Sequence, residues 1–288
     1  MTKTSEFDII PSGAALGAEI RGIDLSTPLD DAAFSRIEEA FNRHSVVCFR
    51  DQRLNEKQYL AFMERFGAVE RVYLNNFAHP EYPDIFLISN IREDGRAIGH
   101  ADAGSVWHTD MSYTDRPPRA TGLYALEVPV ENGVALGNTH FASAAAAYDD
   151  LSDDEKRRIE DLIAIHDVSG RRARTVTDPE NDARRKEQPT VLHPVVRTHP
   201  FTGRKCLYVS EGECVGIEGM EDDEALPLIE RLSRHIPSPA YCHTHTWRVG
   251  DLLMWDNCAV QHLASFDYKW PEQRRLMWRV TVGGAATH

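Results

Sequence analysis

From Gly250 to Val280 the chain reads GDLLMWDNCAVQHLASFDYKWPEQRRLMWRV, and this stretch decides the fold. Its first part, DLLMWD (251–256), is a short apolar run held between the turn signals Gly250-Asp251 and Asp256-Asn257. Its end, RLMWRVTVG (275–283), has the β-branched and aromatic content of a strand. The same signature recurs upstream in TGLYALEV (121–128), KCLYVS (205–210) and AYCHTHTW (240–247), each bounded by Gly, Pro, Asp or Asn. Many short strands, few helices and no regular β-α alternation predict a mainly β fold, a sandwich or jelly roll with flanking helices.

The helices are expected outside that core. DDAAFSRIEEAFNRH (30–44) places Phe34, Ile37 and Phe41 at helical spacing, and NEKQYLAFMERFG (55–67) does the same with Tyr59, Phe62 and Phe66 before Gly67. The apolar SVVCF (45–49) between them reads as a buried strand. SDDEKRRIEDLIAI (152–165) opens with Ser152 and Glu155 in capping-box spacing, predicting a helix. DDEALPLIERLSRHI (222–236) is a further amphipathic segment, with Pro227 near its first turn. No repeat or composition break divides the 288 residues, so one domain over 1–288 is expected. The charge-dense segment 169–188 reads either as a solvated loop or as a mobile lid.

A formal net charge of −13 argues against nucleic acid and anionic membrane as partners and favours a small molecule. Cys48, Cys206, Cys214, Cys242 and Cys258 are scattered without a C-x-x-C pair, the pattern of reduced thiols. With no apolar run long enough for a signal peptide or membrane span, a cytoplasmic protein is expected, and a homo-oligomer is the expected assembly.

The chemistry is concentrated in two places. In VWHTDM (106–111), His108 and Asp110 stand two apart, so on an extended strand both project to one side. His262, if it faces inward, completes a set of two imidazoles and one carboxylate, the facial triad suited to ferrous iron, which leaves three positions open. Zinc accepts the same ligands, so residue types alone do not choose the metal. Arg275 and Arg279, four residues apart on a strand, share a face and supply two carboxylate anchors, which favours iron with an acidic co-substrate. Arg274 is assigned to the opposite, solvent-facing side. His243 and His245 alternate on another strand and form a rival pair, for which the sequence offers no third ligand.

In order along the chain, Trp107-His108-Thr109-Asp110, GNTHFAS (137–143), WDN (255–257), His262 and QRRLMWR (273–279) resemble the taurine dioxygenase and 2,4-dichlorophenoxyacetate dioxygenase family of Fe(II)/2-oxoglutarate enzymes. GAEIRGIDLSTPLDD (17–31), SVVCFRDQRL (45–54) and THPFTGRKCLYVSEG (198–212) extend the resemblance over most of the chain. It implies a double-stranded β-helix, a jelly roll with helices outside. It further implies Fe(II), O2 and 2-oxoglutarate, which is converted to succinate and CO2 while a small, acidic organic substrate is hydroxylated, with or without C–O or C–S cleavage. His108, Asp110 and His262 would bind iron. Arg275 would hold the distal carboxylate of 2-oxoglutarate with Thr139 as second anchor, and Arg279 would sit at the keto-acid end or grip an acidic group of the substrate. Where relatives read Gly-Gly-Asp-Thr, this chain has Leu136-Gly137-Asn138-Thr139, which removes one carboxylate near the pocket.

The resemblance places Tyr73, Asn75, Asn76 and Asn90 toward the substrate. His100, on the approach to the iron strand, is a further candidate there, whereas His140 is expected to point away from the pocket. Trp107 and Trp255 are expected to wall the metal site, and Asn257 to brace the loop leading to His262. Two other readings use the same residues: a catalytically silent jelly-roll protein that binds a small molecule, and a zinc hydrolase, which leaves the arginine pair without a purpose.

Overall fold

The computed structural model describes residues 7–71, 77–168, 170 and 188–284. Tyr73, Asn75 and Asn76, and the expected lid apart from Gly170 and Gln188, lie outside the described residues.

The principal sheet has eight strands: β1 (Asp8–Pro11), β2 (Ala18–Arg21), β3 (Val46–Phe49), β4 (Val69–Glu70), β5 (Phe86–Ser89), β8 (Ala120–Glu127), β18 (Leu252–Asp256) and β20 (Leu276–Val282). Their order is β1-β2-β3-β18-β8-β20-β4, with β5 also paired to β20, and only β2–β3 is parallel. Its inner strands are mostly apolar because both faces are covered, with polar side chains such as Thr121 on β8 and Arg279 on β20 as exceptions. Parity then sorts the side chains. Val47 and Phe49, Leu252 and Met254, and Trp278, Val280 and Val282 pack into one core with Phe34, Ile37 and Phe41 of α1 (Asp31–His44) and Tyr59, Phe62 and Met63 of α2 (Glu56–Glu64). Val46 and Cys48, Leu253 and Trp255, and Met277 enter the other core, inside the jelly roll. A one-residue slip in any of these strands would exchange the two sets.

Both N-terminal helices are capped as their sequences dictate. The Asp30 side chain accepts from the Ala33 N–H, and Asn55 and Gln58 form a reciprocal capping box. Ser45, with φ 61°, ends α1 in the left-handed conformation and turns the chain straight into β3.

Opposite the principal sheet stands a three-stranded sheet, β17 (Cys242–His245), β11 (Thr139–Ser143) and β19 (Val260–Ala264), ordered β17-β11-β19. Beside it, β12 (Ile163–His166) lies between β13 (Val191–Pro194) and β16 (Cys214–Ile217), and β14 (Val196–Thr198) pairs with β15 (Lys205–Leu207). Two short ladders, β6 (Arg92–Glu93) with β7 (Arg96–Ala97) and β9 (Val130–Glu131) with β10 (Val134–Ala135), edge the molecule. Three more α-helices stand among the described residues: α3 (Ala144–Asp150), α4 (Asp153–Ile159) and α5 (Asp222–His235), the last carrying Pro227 within it.

The helix expected over 152–165 is corrected. Its capping box at Ser152 and Glu155 forms, but α4 ends at Ile159 and the following IAIH becomes β12. Ile163 and Ile165 are half-buried while Ala164 and His166 are buried, a period of two imposed by β13 and β16 on either side. Partners supplied by distant sequence outweigh local helix propensity. Among the described residues no helix is long and apolar enough to cross a membrane, and all five cysteines are free.

Candidate active site

The two jelly-roll sheets face each other across the segment that carries His108. That segment is not the strand expected from its sequence. His108 makes a single antiparallel bridge to His262, with N–H···O distances of 3.2 and 2.8 Å in the two directions, and the chain then turns through Met111 at φ 50°. The bridge sets the two imidazoles side by side, ring centroids 4.1 Å apart. Asp110, two residues after His108, lies against both rings, its Oδ1 3.6 Å from Nε2 of each histidine. The ligand atoms of His108, Asp110 and His262 all stand within 4.8 Å of one another.

Burial makes this cluster electrostatically tense. His262 is buried, and burial together with the nearby His108 lowers its pKa to about 3. Burial opposes charge on His108 as well, but its contact with Asp110 outweighs this and raises it. Asp110 would be pushed up by burial, yet Arg279, His262 and His108 hold it well below the usual carboxylate range. Nδ1 of His108 lies 2.8 Å from the Val106 carbonyl, so a proton there leaves Nε2 with its lone pair facing Asp110. Two inward imidazole nitrogens and an ionised carboxylate fit one divalent cation of the ferrous type.

A shell of donors and rings fixes the set. Asp110 Oδ2 accepts from Thr121 Oγ1 at 2.6 Å and from Trp255 Nε1 at 3.2 Å. The Trp255 ring lies 4.8 Å from that of His262, and Phe141, opposite His262 in the β11–β19 register, stacks on it at 6.0 Å. Trp107 packs half-buried against the jelly-roll core. Asn257 braces more than the His262 loop: its carbonyl accepts from Thr109 Oγ1, and its side-chain amide donates to Thr121.

The arginines divide the work expected of both. Arg279, on β20, places Nη2 2.8 Å from Asp110 Oδ1. Arg275 precedes β20, and the register shifts between Leu276 and Met277, but Arg275 keeps to the Met277 face, with Nη2 3.3 Å from Met277 Sδ. It is 3% exposed, with no carboxylate within 4.0 Å among the described residues and Nε without a partner. Its guanidinium donates to the Gly137 carbonyl and lies against Tyr268 and Trp247. Gly137 is required there, because φ is +71° and a Cβ would overlap Arg275 and press on Tyr268 at 2.9 Å. Thr139 follows on β11, and its Oγ1 accepts from Trp247 Nε1 at 3.0 Å, which leaves its own hydrogen to donate. A buried cation with no carboxylate in direct contact among the described residues, only the more distant charge of Asp267 acting on it, beside a glycine cradle and a free hydroxyl proton, suits a carboxylate. Arg274 points outward, paired with Glu127.

Several expected roles are redistributed. Asn90 reaches the chain before β20 with both ends, Nδ2 donating to the Gln273 carbonyl and Oδ1 accepting from the Arg275 N–H, so it anchors Arg275. His100 packs its ring against Phe77 and Phe86. His140 is tied to Thr244 and Ser265. His243 packs beside Gly17, whereas His245 does have neighbours the sequence did not reveal: its Nε2 lies 3.1 Å from Asp251, and Cys48 completes the group. There Arg50 Nη1 stands 2.5 Å from the same Asp251 oxygen, as Arg279 does beside Asp110, but one imidazole faces that carboxylate where two face Asp110.

Thr121, Trp247 and Tyr268 were not anticipated, because strand periodicity gives a face but not what lies across it. Glu213 is a fourth addition. It accepts from Ser210 Oγ, and its charge contributes to raising His108.

A jelly roll that sets a His-Asp-His cluster beside a buried, carboxylate-free arginine is the architecture of the α-ketoglutarate-dependent dioxygenases, enzymes that use Fe(II), 2-oxoglutarate and O2. Within that class the chain belongs to the family described as taurine catabolism dioxygenase TauD, TfdA family, whose profile matches residues 8–281. It is 32% identical over 281 residues to pentalenolactone F synthase of Streptomyces arenae, covering 93% of this chain and 92% of that one. It is 31% identical over 276 residues to the α-ketoglutarate-dependent 2,4-dichlorophenoxyacetate dioxygenase of Burkholderia sp. (strain RASC), covering 92% and 91%. Among solved structures it is similar to AAD-2 in complex with Mn(II) and N-oxalylglycine, with a TM-score of 0.83, 29% identity and 98% of each chain covered.

Proposed function

We propose that this dioxygenase hydroxylates a small, acidic organic substrate, with fragmentation where the attacked carbon bears oxygen or sulfur, and that His108, Asp110 and His262 hold the iron. The observation that carries this reading is Arg275, a buried guanidinium without a carboxylate partner among the described residues, on the same face of the chain as Arg279. Arg275 satisfies the distal carboxylate of 2-oxoglutarate; Arg279, whose Nη2 already holds Asp110, has its Nε left for a second acid.

Each side chain then has a defined task. Arg275 and Thr139 bind and orient the co-substrate from its far end, and Gly137 gives it room. His108 keeps a proton on Nδ1 against the Val106 carbonyl and presents Nε2. Asp110 stays ionised because Arg279 lies beside it. Arg279 retains a buried, unpartnered Nε that suits it to the acidic group of the substrate. Trp255 and Phe141 exclude water from the His262 side. Bound iron supplies the redox chemistry that couples decarboxylation of 2-oxoglutarate to oxidation of a C–H bond.

The test is anaerobic addition of Fe(II) and 2-oxoglutarate, followed by a screen of carboxylic, sulfonic and sulfate-ester acids for succinate release. A weak charge-transfer absorption and acid-stimulated succinate are expected. A folded preparation that gives neither the absorption nor any succinate removes the proposal.

A further inference from the structure

We propose that Thr121 is a positioning residue that determines which oxygen of Asp110 a metal ion meets. This rests on the reading of His108, Asp110 and His262 as ligands. The two carboxylate oxygens have different surroundings. Oδ1 faces both imidazole Nε2 atoms at 3.6 Å and Arg279 Nη2 at 2.8 Å. Oδ2 is turned away and takes two hydrogen bonds, from Thr121 Oγ1 and from Trp255 Nε1.

The direction of the Thr121 hydrogen follows from the acceptor role of the same oxygen. Asn257 Nδ2 donates to Thr121 Oγ1 at 3.0 Å, so the single hydroxyl hydrogen goes to Asp110. Asn257 is itself held, its carbonyl by Thr109 Oγ1 at 2.7 Å and its N–H by the Arg119 carbonyl at 3.0 Å. Thr121 and Trp255 are directly paired residues of β8 and β18, so both donors to Oδ2 are set by the register of two central strands. Strands hold such a donor pair more exactly than a loop does.

The consequence concerns how many positions stay open. A three-ligand site of this type leaves three positions for exogenous ligands only if its carboxylate uses one oxygen. Asp110, with Oδ2 occupied by two donors, can offer Oδ1 alone. Freed of the Thr121 hydroxyl, the carboxylate could turn and present both oxygens, taking a position from the co-substrate or O2.

The experiment is binding of Mn(II) and Co(II) to the full chain by calorimetry, with the visible spectrum of the Co(II) form, for wild type, Thr121→Val and Thr121→Ser. The valine variant is expected to bind 10- to 100-fold more weakly, the range for losing an outer-shell partner, and to show an altered Co(II) spectrum. The serine variant, which keeps the hydroxyl, is expected to match wild type in both. Valine affinity within twofold of wild type with an unchanged spectrum overturns the proposal, as does a serine variant as impaired as valine. Should the valine variant not fold, Asn257→Ala, which leaves the hydroxyl free to turn, takes its place: weakened binding supports the proposal, and unchanged binding overturns it. A wild-type chain that binds neither ion refutes the ligand set itself, a separate result.

Discussion

Gly137→Ala is the sharpest perturbation of the co-substrate end, because its cost divides into two parts that can be measured separately. The first is backbone strain: at φ +71° a Cβ costs roughly 1–2 kcal/mol. The second is the overlap with the Arg275 guanidinium, which is walled by Tyr268 and Trp247 and so must give up its hydrogen bond to the Gly137 carbonyl. A charge-assisted bond of that kind contributes about 1.5–3 kcal/mol. Together they predict a melting temperature lower by roughly 10 °C. Gly133→Ala supplies the control, since that glycine has φ +80° but nothing within 4 Å of the added carbon. It should lose only the strain part, a drop of roughly 2–6 °C. For 2-oxoglutarate, a displaced guanidinium forfeits about 2–5 kcal/mol of a desolvated charge pair, so affinity should fall at least 30-fold in the Gly137 variant and stay unchanged in the Gly133 variant. Thermal melts and anaerobic titration of the charge-transfer absorption measure the two quantities. Affinity within threefold of wild type in the Gly137 variant would show that Arg275 does not hold the co-substrate.

Other outcomes follow from the same geometry. Arg275→Ala should weaken 2-oxoglutarate by about 2–5 kcal/mol while leaving Mn(II) binding near wild type; equal losses of both would mean a general collapse of the site. His108→Ala should abolish iron-dependent succinate formation yet leave the metal-free melting temperature within a few degrees, since cleft ligands add little to stability; a molten variant contradicts this. Acid should destabilise the metal-free chain through His166, whose pKa falls from 6.5 to about 3 through burial and the neighbouring His193. The folded state keeps it neutral while the unfolded chain protonates it, so this stability is complete above pH 6.5 and is lost progressively toward pH 3, about 2 kcal/mol of it by pH 5. The difference between urea midpoints at pH 7 and pH 5 should therefore shrink in His166→Phe by the equivalent of about 2 kcal/mol, the share of this one group, and an unchanged pH difference would refute the assignment.

Local periodicity made α1, α2 and β3 legible, because Phe34, Ile37 and Phe41 mark a helix face and Val46–Phe49 has nowhere to go but between two layers. It failed at 160–166, where the strand β12 exists only through pairing with β13 and β16, far away in sequence. At 106–111 it anticipated that His108 and Asp110 come together but not the local structure, since the segment makes one bridge to His262 and turns at a left-handed Met111 instead of running on as a strand. Asn90 shows the same limit, since nothing near it in sequence indicates that residues 273 and 275 will take both ends of its amide.

By itself the sequence determined the parity of each strand, the capping of the helices and the ordered donor types at 108, 110, 139, 262, 275 and 279, since these depend on backbone geometry over a few residues and on side-chain chemistry. Only the tertiary structure decided that Thr121 and Trp255 meet on Asp110 Oδ2, that Arg279 shares Oδ1, and that Arg50 pairs with Asp251 beside His245. Apart from Thr121 and Asp110, eleven residues apart, those contacts join segments well over a hundred residues apart, and which polar groups meet there is fixed by sheet register and by the exclusion of water from the core.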